Sequence, residues 1–173
     1  HIDGDFALAV WHVDSQRLFC ARDPIGNKPF HFHWNGTSLF FASDLHAVMA
    51  ASDVPETPNE GVLAEYLADQ WVSRTETLWQ GINILDAAHC MEVDARGPRI
   101  QQYWAPDFFT KLHYAKDSDY IEHYRELFAD TVRRQSRSQS SISIEVSGGL
   151  DSSGIFAMAA DLERHDQLAS PGF

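Results

Sequence analysis

One short segment constrains the fold of this chain more than any other: the glycine-containing loop Ser147-Gly-Gly-Leu-Asp-Ser-Ser153. It follows the β-branched run Ile142–Val146, which is typical of a buried strand, and precedes the amphipathic run Ile155–Leu162. An amphipathic helix is also predicted upstream, over residues 118–134. Helix, strand, glycine-rich loop and helix in this order predict the opening of a parallel α/β nucleotide-binding fold.

The chemistry of this loop favours an anion ligand. Adjacent glycines at 148 and 149 let a ligand approach the backbone, and the helix after the loop directs its free N–H groups and positive dipole end into it. The loop is not a Walker A motif, because no Gly-Lys-Ser/Thr comes after it. Three hydroxyls can donate to phosphate oxygens: those of Ser147, Ser152 and Ser153. Asp151 would repel a bare phosphate, so it indicates either a shared Mg²⁺ or a helix cap. On these residues alone, a plain Gly-Gly turn with a capping residue stays an alternative.

The first half of the chain has the pattern of antiparallel β structure, with short apolar runs between polar turns. Asn35-Gly36 predicts a tight type I′ hairpin, because both central residues of that turn need positive φ. Asp44 and Asn59 are predicted to cap two short helices. The predicted strands are 6–11, 17–22, 30–34, 38–42, 90–93 and 100–104.

The second half is predicted to begin between Trp104 and Ser118. A helix capped by Asp117 or Ser118 should bury one stripe of residues spaced three and four apart. The stripe consists of Tyr120, Ile121, Tyr124, Leu127, Phe128, Thr131 and Val132.

Composition excludes several classes of protein. Apolar residues make up 44% of the 173 residues, enough for a packed core and too many for a disordered chain. The net charge of −12 gives no long-range attraction to nucleic acid or anionic membranes, and no apolar run approaches the roughly 20 residues of a membrane span. Two cysteines are too few for a disulfide scaffold, so we expect a cytoplasmic protein.

The loop after the predicted strand resembles the pyrophosphate-binding loop of the N-type ATP pyrophosphatases. That resemblance implies cleavage of ATP between its α and β phosphates and activation of a carboxylate as an acyl-adenylate. It also implies an ATP and pyrophosphate site formed by Val146 (through its backbone), Ser147, Gly148, Gly149, Leu150, Asp151, Ser152 and Ser153, with Asp151 as a Mg²⁺ ligand.

Three blocks in the first half resemble, in order, the glutaminase domain of the asparagine synthase family. They are the segments 3–11, 21–30 and 41–47, and the segments 76–81 and 102–104 resemble the closing hairpin of that domain. The resemblance implies a mixed α/β (α+β) chain in two parts. Residues 1–108 would be the C-terminal part of an Ntn-type glutaminase β-sandwich, and residues 109–173 the first β-loop-α unit of a Rossmann-like ATP-pyrophosphatase domain.

The resemblance also implies a function and its partners. It indicates a piece of an ATP-dependent ligase of the asparagine synthetase type, with a homodimer as one option for its assembly. The implied substrates are ATP, a carboxylate such as aspartate, and glutamine or ammonia. The family's catalytic cysteine would lie upstream of His1, so we expect the chain as given to release no glutamate from glutamine.

Alternatives remain because one block departs from the family pattern. Asp86-Ala87-Ala88-His89 replaces a Pro-Pro-Gly-His turn. Relatives without a working glutaminase, the lasso-peptide cyclases (which act on a precursor peptide) and the β-lactam synthetases, share the architecture, and a non-catalytic remnant is a further alternative.

Three other groups are interpreted as structural. Cys20 and Cys90 are predicted to be small core residues. His31 and His33 lie two apart on a predicted strand with no third metal ligand at a suitable spacing. Arg22 and Asp23 are predicted to form a buried ion pair beside a rigid turn that shapes the floor of the glutaminase.

Overall fold

The computed structural model describes Ile2 and residues 4–173, which divide into two compact units that meet in sequence between Asp107 and Phe108. The first unit contains the β structure and two short helices. The second contains two longer helices. The mixed α/β class predicted from the sequence is confirmed.

Two antiparallel sheets form the first unit. The strands are β1 (Ala7–His12), β2 (Arg17–Arg22), β3 (His31–Trp34), β4 (Leu39–Ala42), β5 (Ile82–Ile84), β6 (His89–Asp94) and β7 (Gly97–Gln102). One sheet has the order β1-β2-β6-β7 and the other the order β4-β3-β5. The predicted strands are present within one or two residues at most ends, whereas β5 is absent from the prediction.

The main core lies between the two sheets, because its buried side chains come from both. Cys20, Met91 and Val93 belong to the four-stranded sheet, and Phe32 belongs to the three-stranded sheet. A second cluster around Val48 packs helix α1 (Leu45–Met49) against the three-stranded sheet. This arrangement places the loop between β2 and β3 at the margin of both sheets.

The predicted caps of the first unit are confirmed. The Asp44 carboxylate accepts from His46 N (2.7 Å) at the start of α1, and the Asn59 side chain accepts from Val62 N (3.4 Å) at the start of α2 (Glu60–Leu67). Each cap satisfies a backbone donor that has no partner within its helix.

The Asn35-Gly36 hairpin differs from the prediction. Four residues, 35–38, connect β3 and β4, and among them only Gly36 has positive φ (+100°). The Asn35 side chain instead accepts from the N–H groups of Thr37 and Ser38. A type I′ turn is therefore wrong here, because that turn needs positive φ at both central residues and only Gly36 has it.

Two helices dominate the second unit: α3 (Asp117–Gln135) and α4 (Leu150–Arg164). They pack through Val132 on α3 and Ala159 and Leu162 on α4. The cap predicted for α3 is wrong, because Lys116 occupies the N-cap position and Asp117 and Ser118 lie inside the first turn, with no side-chain cap.

The stripe predicted along α3 is buried at its C-terminal end only. Phe128 and Val132 pack against α4, whereas Tyr120, Ile121, Tyr124, Leu127 and Thr131 are exposed. Helix α4 packs against the C-terminal part of α3, and one helix covers a narrow part of a neighbouring helix surface.

The predicted strand at Ile142–Val146 is not formed. Residues 141–147 join no sheet, although Ile142 N donates to Gly172 O (3.0 Å) and Ile144 packs on the helix core. A strand requires a neighbour to complete its ladder of hydrogen bonds, and the described part of the second unit offers none. The predicted β-loop-α unit is therefore observed as an irregular segment, a loop and a helix. No helix among the described residues combines the length and apolar character needed to cross a membrane.

Candidate functional site

The loop at 147–153 has a defined backbone that depends on glycine. Gly148 has φ +83°, a left-handed conformation that disfavours side chains, and no atom lies within 4 Å of the position that its Cβ would occupy. Gly149 is the N-cap of α4 and has an extended backbone. The first helical N–H groups therefore follow a stretch of backbone that carries no side chain at two successive positions.

Two serine hydroxyls close this loop. The Ser152 hydroxyl accepts from Ser147 N (3.1 Å) and lies 3.0 Å from the Ser147 hydroxyl. Ser153 N donates to Gly149 O (3.2 Å), which starts the helix. Ser147 and Ser152 therefore hold the loop in shape as well as offering hydroxyls, and Ser153 is exposed in the first turn.

Asp151 does not cap α4, which was one of the two roles that the sequence allowed for it. It lies in the first turn of α4, where the N-cap Gly149 provides no side-chain cap. Its carboxylate is exposed and makes no hydrogen bond or ion pair with the described residues. The capping interpretation is wrong, because α4 begins one residue earlier, at Leu150, and its N-cap is Gly149.

The donor set of this loop fits a phosphate group together with Mg²⁺. Backbone N–H groups at a helix N-terminus, hydroxyls and the helix dipole favour negative charge. Asp151 supplies a free carboxylate oxygen, and Mg²⁺ in phosphate sites uses one or two protein carboxylates alongside phosphate oxygens and water. The loop is also open to solvent: Leu150 is 93% exposed and Val146 is 48% exposed.

A second distinctive structure lies in the first unit, in the loop after β2. The Asp23 side chain is 1% exposed, and its two oxygens together accept from four backbone N–H groups, at 2.7–3.2 Å. The donors are Ile25, Gly26, Asn27 and Lys28. Burial by itself raises the pKa of Asp23, but these four donors outweigh it and hold the pKa below its usual range.

Arg22 braces the same loop through carbonyl oxygens. Its guanidinium donates to Lys28 O (2.8 Å), to Leu85 O (2.7 Å) and to Gly26 O. The predicted ion pair between Arg22 and Asp23 is wrong, because each side chain is satisfied by backbone groups of the loop and its surroundings. The predicted turn is present, closed by hydrogen bonds from four backbone N–H groups to Asp23.

The turn that departs from the family pattern is strained at one residue. Ala88 has φ +59°, is 3% exposed, and occupies the position of the family's glycine. An L-residue in this conformation costs about 1 kcal/mol relative to glycine. The turn nevertheless keeps its link to the Asp23 loop, since Ala88 N donates to Asp23 O (3.0 Å).

The cysteines and paired histidines have structural surroundings. Cys20 and Cys90 are both buried, and burial raises the pKa of Cys20 to about 12, so its thiolate is not formed near neutral pH. His31 Nδ1 lies 3.0 Å from Ser43 O, and His33 Nδ1 lies 2.8 Å from Gly81 O. Each ring thus uses one nitrogen to hold backbone.

Tyr103 lies just after β7. The sequence analysis assigns it only to a closing hairpin and gives it no other role. Its hydroxyl donates to Arg22 O (2.6 Å) and its N–H donates to Ala88 O (2.9 Å). No local pattern indicates a contact with a residue 81 positions earlier.

Comparison with known proteins agrees with both units. The family model described as glutamine amidotransferase domain matches residues 1–104, and the model described as asparagine synthase matches residues 123–171. The chain belongs to the glutamine amidotransferase domain family. It joins that domain to a segment of the asparagine synthase family, and so the predicted resemblance to glutamine-hydrolysing asparagine synthases is confirmed.

Individual relatives carry the same combination. Glutamine-hydrolyzing asparagine synthetase 3 of Bacillus subtilis strain 168 is 35% identical over 162 residues, which cover 92% of this chain and 26% of the relative. Glutamine-hydrolyzing asparagine synthetase 2 of the same strain is 30% identical, covering 92% and 23%. Amidase chyE of Penicillium rubens is 27% identical, covering 95% and 24%. The chain thus spans about a quarter of the length of these curated relatives.

Proposed function

We propose that the full-length protein is an ATP-dependent, amide-forming ligase of the asparagine synthetase type. The observation that carries this proposal is the preformed loop at 147–153, a glycine-based anion cradle with a free carboxylate, in the same chain as an amidotransferase unit. The relatives named as glutamine-hydrolyzing asparagine synthetases support it.

The residues of the loop have defined tasks in the proposed reaction. The backbone at Gly148 and Gly149 and the hydroxyls of the loop hold the β and γ phosphates of ATP. A substrate carboxylate oxygen then attacks the α phosphorus, pyrophosphate leaves, and the acyl-adenylate forms. Ammonia attacks the acyl carbon, AMP leaves, and an amide results. Mg²⁺, when bound, neutralises the phosphate charge, and Asp151 would hold it there.

Glutamine is the proposed source of ammonia, since residues 1–104 match the amidotransferase domain. We propose that the two sheets are part of an Ntn-type sandwich whose nucleophile is a cysteine outside this chain. Neither Cys20 nor Cys90 can serve, because both are buried within the sheets. Residues 1–108 and 109–173 then remain the proposed domain division.

The acyl substrate is proposed as aspartate, the substrate implied by the asparagine synthetase relatives. The loop determines the choice of ATP and does not determine which carboxylic acid is used. A relative that joins other carboxylates and amines would therefore use the same loop residues. The chain also aligns over 95% of its length with a protein named as an amidase, so similarity over this region is not confined to proteins named as asparagine synthetases.

The proposal is tested by following amide formation in the full-length protein. With ATP, Mg²⁺ and aspartate, we expect asparagine to accumulate with either glutamine or ammonium as nitrogen source. Amide formation from another acid would select the second candidate. A protein that binds ATP but forms no amide from any supplied carboxylate would contradict the proposal.

A further inference from the structure

We propose that Tyr103 is a positioning residue that couples glutamine hydrolysis to amide synthesis, by fixing the chain where it leaves the first unit. The proposal rests on the proposed function above. Tyr103 touches no reacting atom. It acts through the loop after β2 and the turn before β6, which we call the Asp23 loop (23–29) and the Ala88 turn (86–89).

Tyr103 is fastened at two points to two different segments. Its hydroxyl donates to Arg22 O (2.6 Å), at the start of the Asp23 loop, and its N–H donates to Ala88 O (2.9 Å), in the Ala88 turn. Main chain and side chain thus hold one residue in two directions, which fixes both its position and its orientation.

The two anchors belong to one hydrogen-bonded network. Asp23 O accepts from Ala88 N (3.0 Å), which ties the Asp23 loop to the Ala88 turn directly. Arg22 also donates to Leu85 O (2.7 Å), just beyond β5 of the other sheet. Tyr103 is therefore attached to the part of the unit where both sheets are connected, and not to a mobile surface group.

The attachment of Tyr103 matters because of the segment that follows it. Residues 103–116 lie outside helices and strands, and several aromatic side chains there are exposed, Phe109 by 92%. The direction in which this segment starts is set at Tyr103. In the proposed reaction, water and glutamine yield glutamate and ammonia in one domain, and the nitrogen lone pair of ammonia must attack an acyl carbon in the other. Ammonia that escapes first is lost to solvent.

Replacing Tyr103 by phenylalanine in the full-length protein tests this role. The ring is kept, and only the donation to Arg22 O is lost. We expect the glutamate released per amide formed to rise by about 2- to 10-fold, because the start of the exposed segment loses one of its two anchors. The rate supported by ammonium, which bypasses transfer, should stay within about twofold of wild type.

The matched control is Tyr66→Phe, which removes a hydroxyl from an exposed tyrosine of the same unit whose ring contacts Trp71. It should leave the ratio of glutamate to amide unchanged. A second measurement is limited chymotrypsin digestion. The Tyr103→Phe protein should be cut several-fold faster in the exposed segment that contains Trp104, Phe108 and Phe109.

Two results would overturn the proposal. One is an unchanged ratio of glutamate to amide in Tyr103→Phe. The other is a parallel fall in the glutaminase rate, the glutamine-supported rate and the ammonium-supported rate, because such a fall indicates a merely structural role. Failure of the wild-type protein to form amide from glutamine and from ammonium would contradict the proposed function itself, and that outcome is visible before any variant is made.

Discussion

Replacing Asp23 by alanine is expected to lower the free energy of unfolding of the first unit by about 3–5 kcal/mol. The substitution removes a carboxylate that is 1% exposed and leaves four backbone N–H groups without their acceptor. Each unsatisfied buried donor costs about 1–3 kcal/mol, and partial relaxation of the loop keeps the total below the sum. Urea unfolding monitored by tryptophan fluorescence measures the change.

Two comparisons separate this effect from a general loss of negative charge. Asp14→Ala, at an exposed position of the same unit, should change stability by no more than about 0.5 kcal/mol. The wild-type contribution of Asp23 is complete above its unfolded-state pKa of about 3.9 and is lost as pH falls through its lower folded-state pKa. The stability difference between wild type and Asp23→Asn should therefore shrink below about pH 4, and a difference that grows on acidification would contradict the account.

Replacing Asp151 by asparagine in the full-length protein should slow adenylation by at least about tenfold at low Mg²⁺. A carboxylate beside a polyphosphate is tolerated when a cation lies between them, because two unscreened negative charges in contact repel strongly outside bulk water. Asn removes the charge that holds the cation. Raising Mg²⁺ should restore part of the rate, since the defect is one of metal occupancy, and pyrophosphate release measured over a range of Mg²⁺ concentrations reports it.

The control for this variant is Asp166→Asn, the same chemical change at an exposed position just beyond α4. Its rate should match wild type at every Mg²⁺ concentration. If Asp151 serves only the helix dipole, its removal costs about 0.3–1 kcal/mol of helix stability and leaves adenylation intact. A near-normal rate for Asp151→Asn at low Mg²⁺ would thus remove the metal role.

Much of the first unit could be predicted because its signals are local. Short apolar runs define β2 and β3 within a residue or two, and the caps at Asp44 and Asn59 need information from only three neighbouring positions. The short strand β5 escapes prediction, because three residues carry too little periodicity to stand out from a loop.

The errors arise where a distant group decides the outcome. Ile142–Val146 has the composition of a strand, but no neighbouring strand is present among the described residues to pair with it. The stripe along α3 has helical spacing, yet spacing does not say how much of a helix a partner covers. Arg22 and Asp23 are adjacent opposite charges, but the fold turns each toward backbone groups.

In the candidate loop too, the local features could be predicted and the features that depend on distant residues could not. Its glycines, serines and helix start are evident from seven consecutive residues, and the observed φ of Gly148 agrees with that pattern. The sequence shows that a helix starts near this loop, but it does not show which residue is the first of α4. That residue decides whether Asp151 caps the helix or is free for another partner. The bond from Tyr103 to Arg22 O spans 81 positions and has no local signature.

Measurement of the nucleotide product tests the central claim most directly. The full-length protein is incubated with ATP, Mg²⁺, a carboxylate substrate and ammonium, and the adenine nucleotides are separated by chromatography. A loop that cradles the β and γ phosphates without a Walker lysine predicts AMP and pyrophosphate in equal amounts, in step with amide formation. ADP and orthophosphate as the main products would contradict the account.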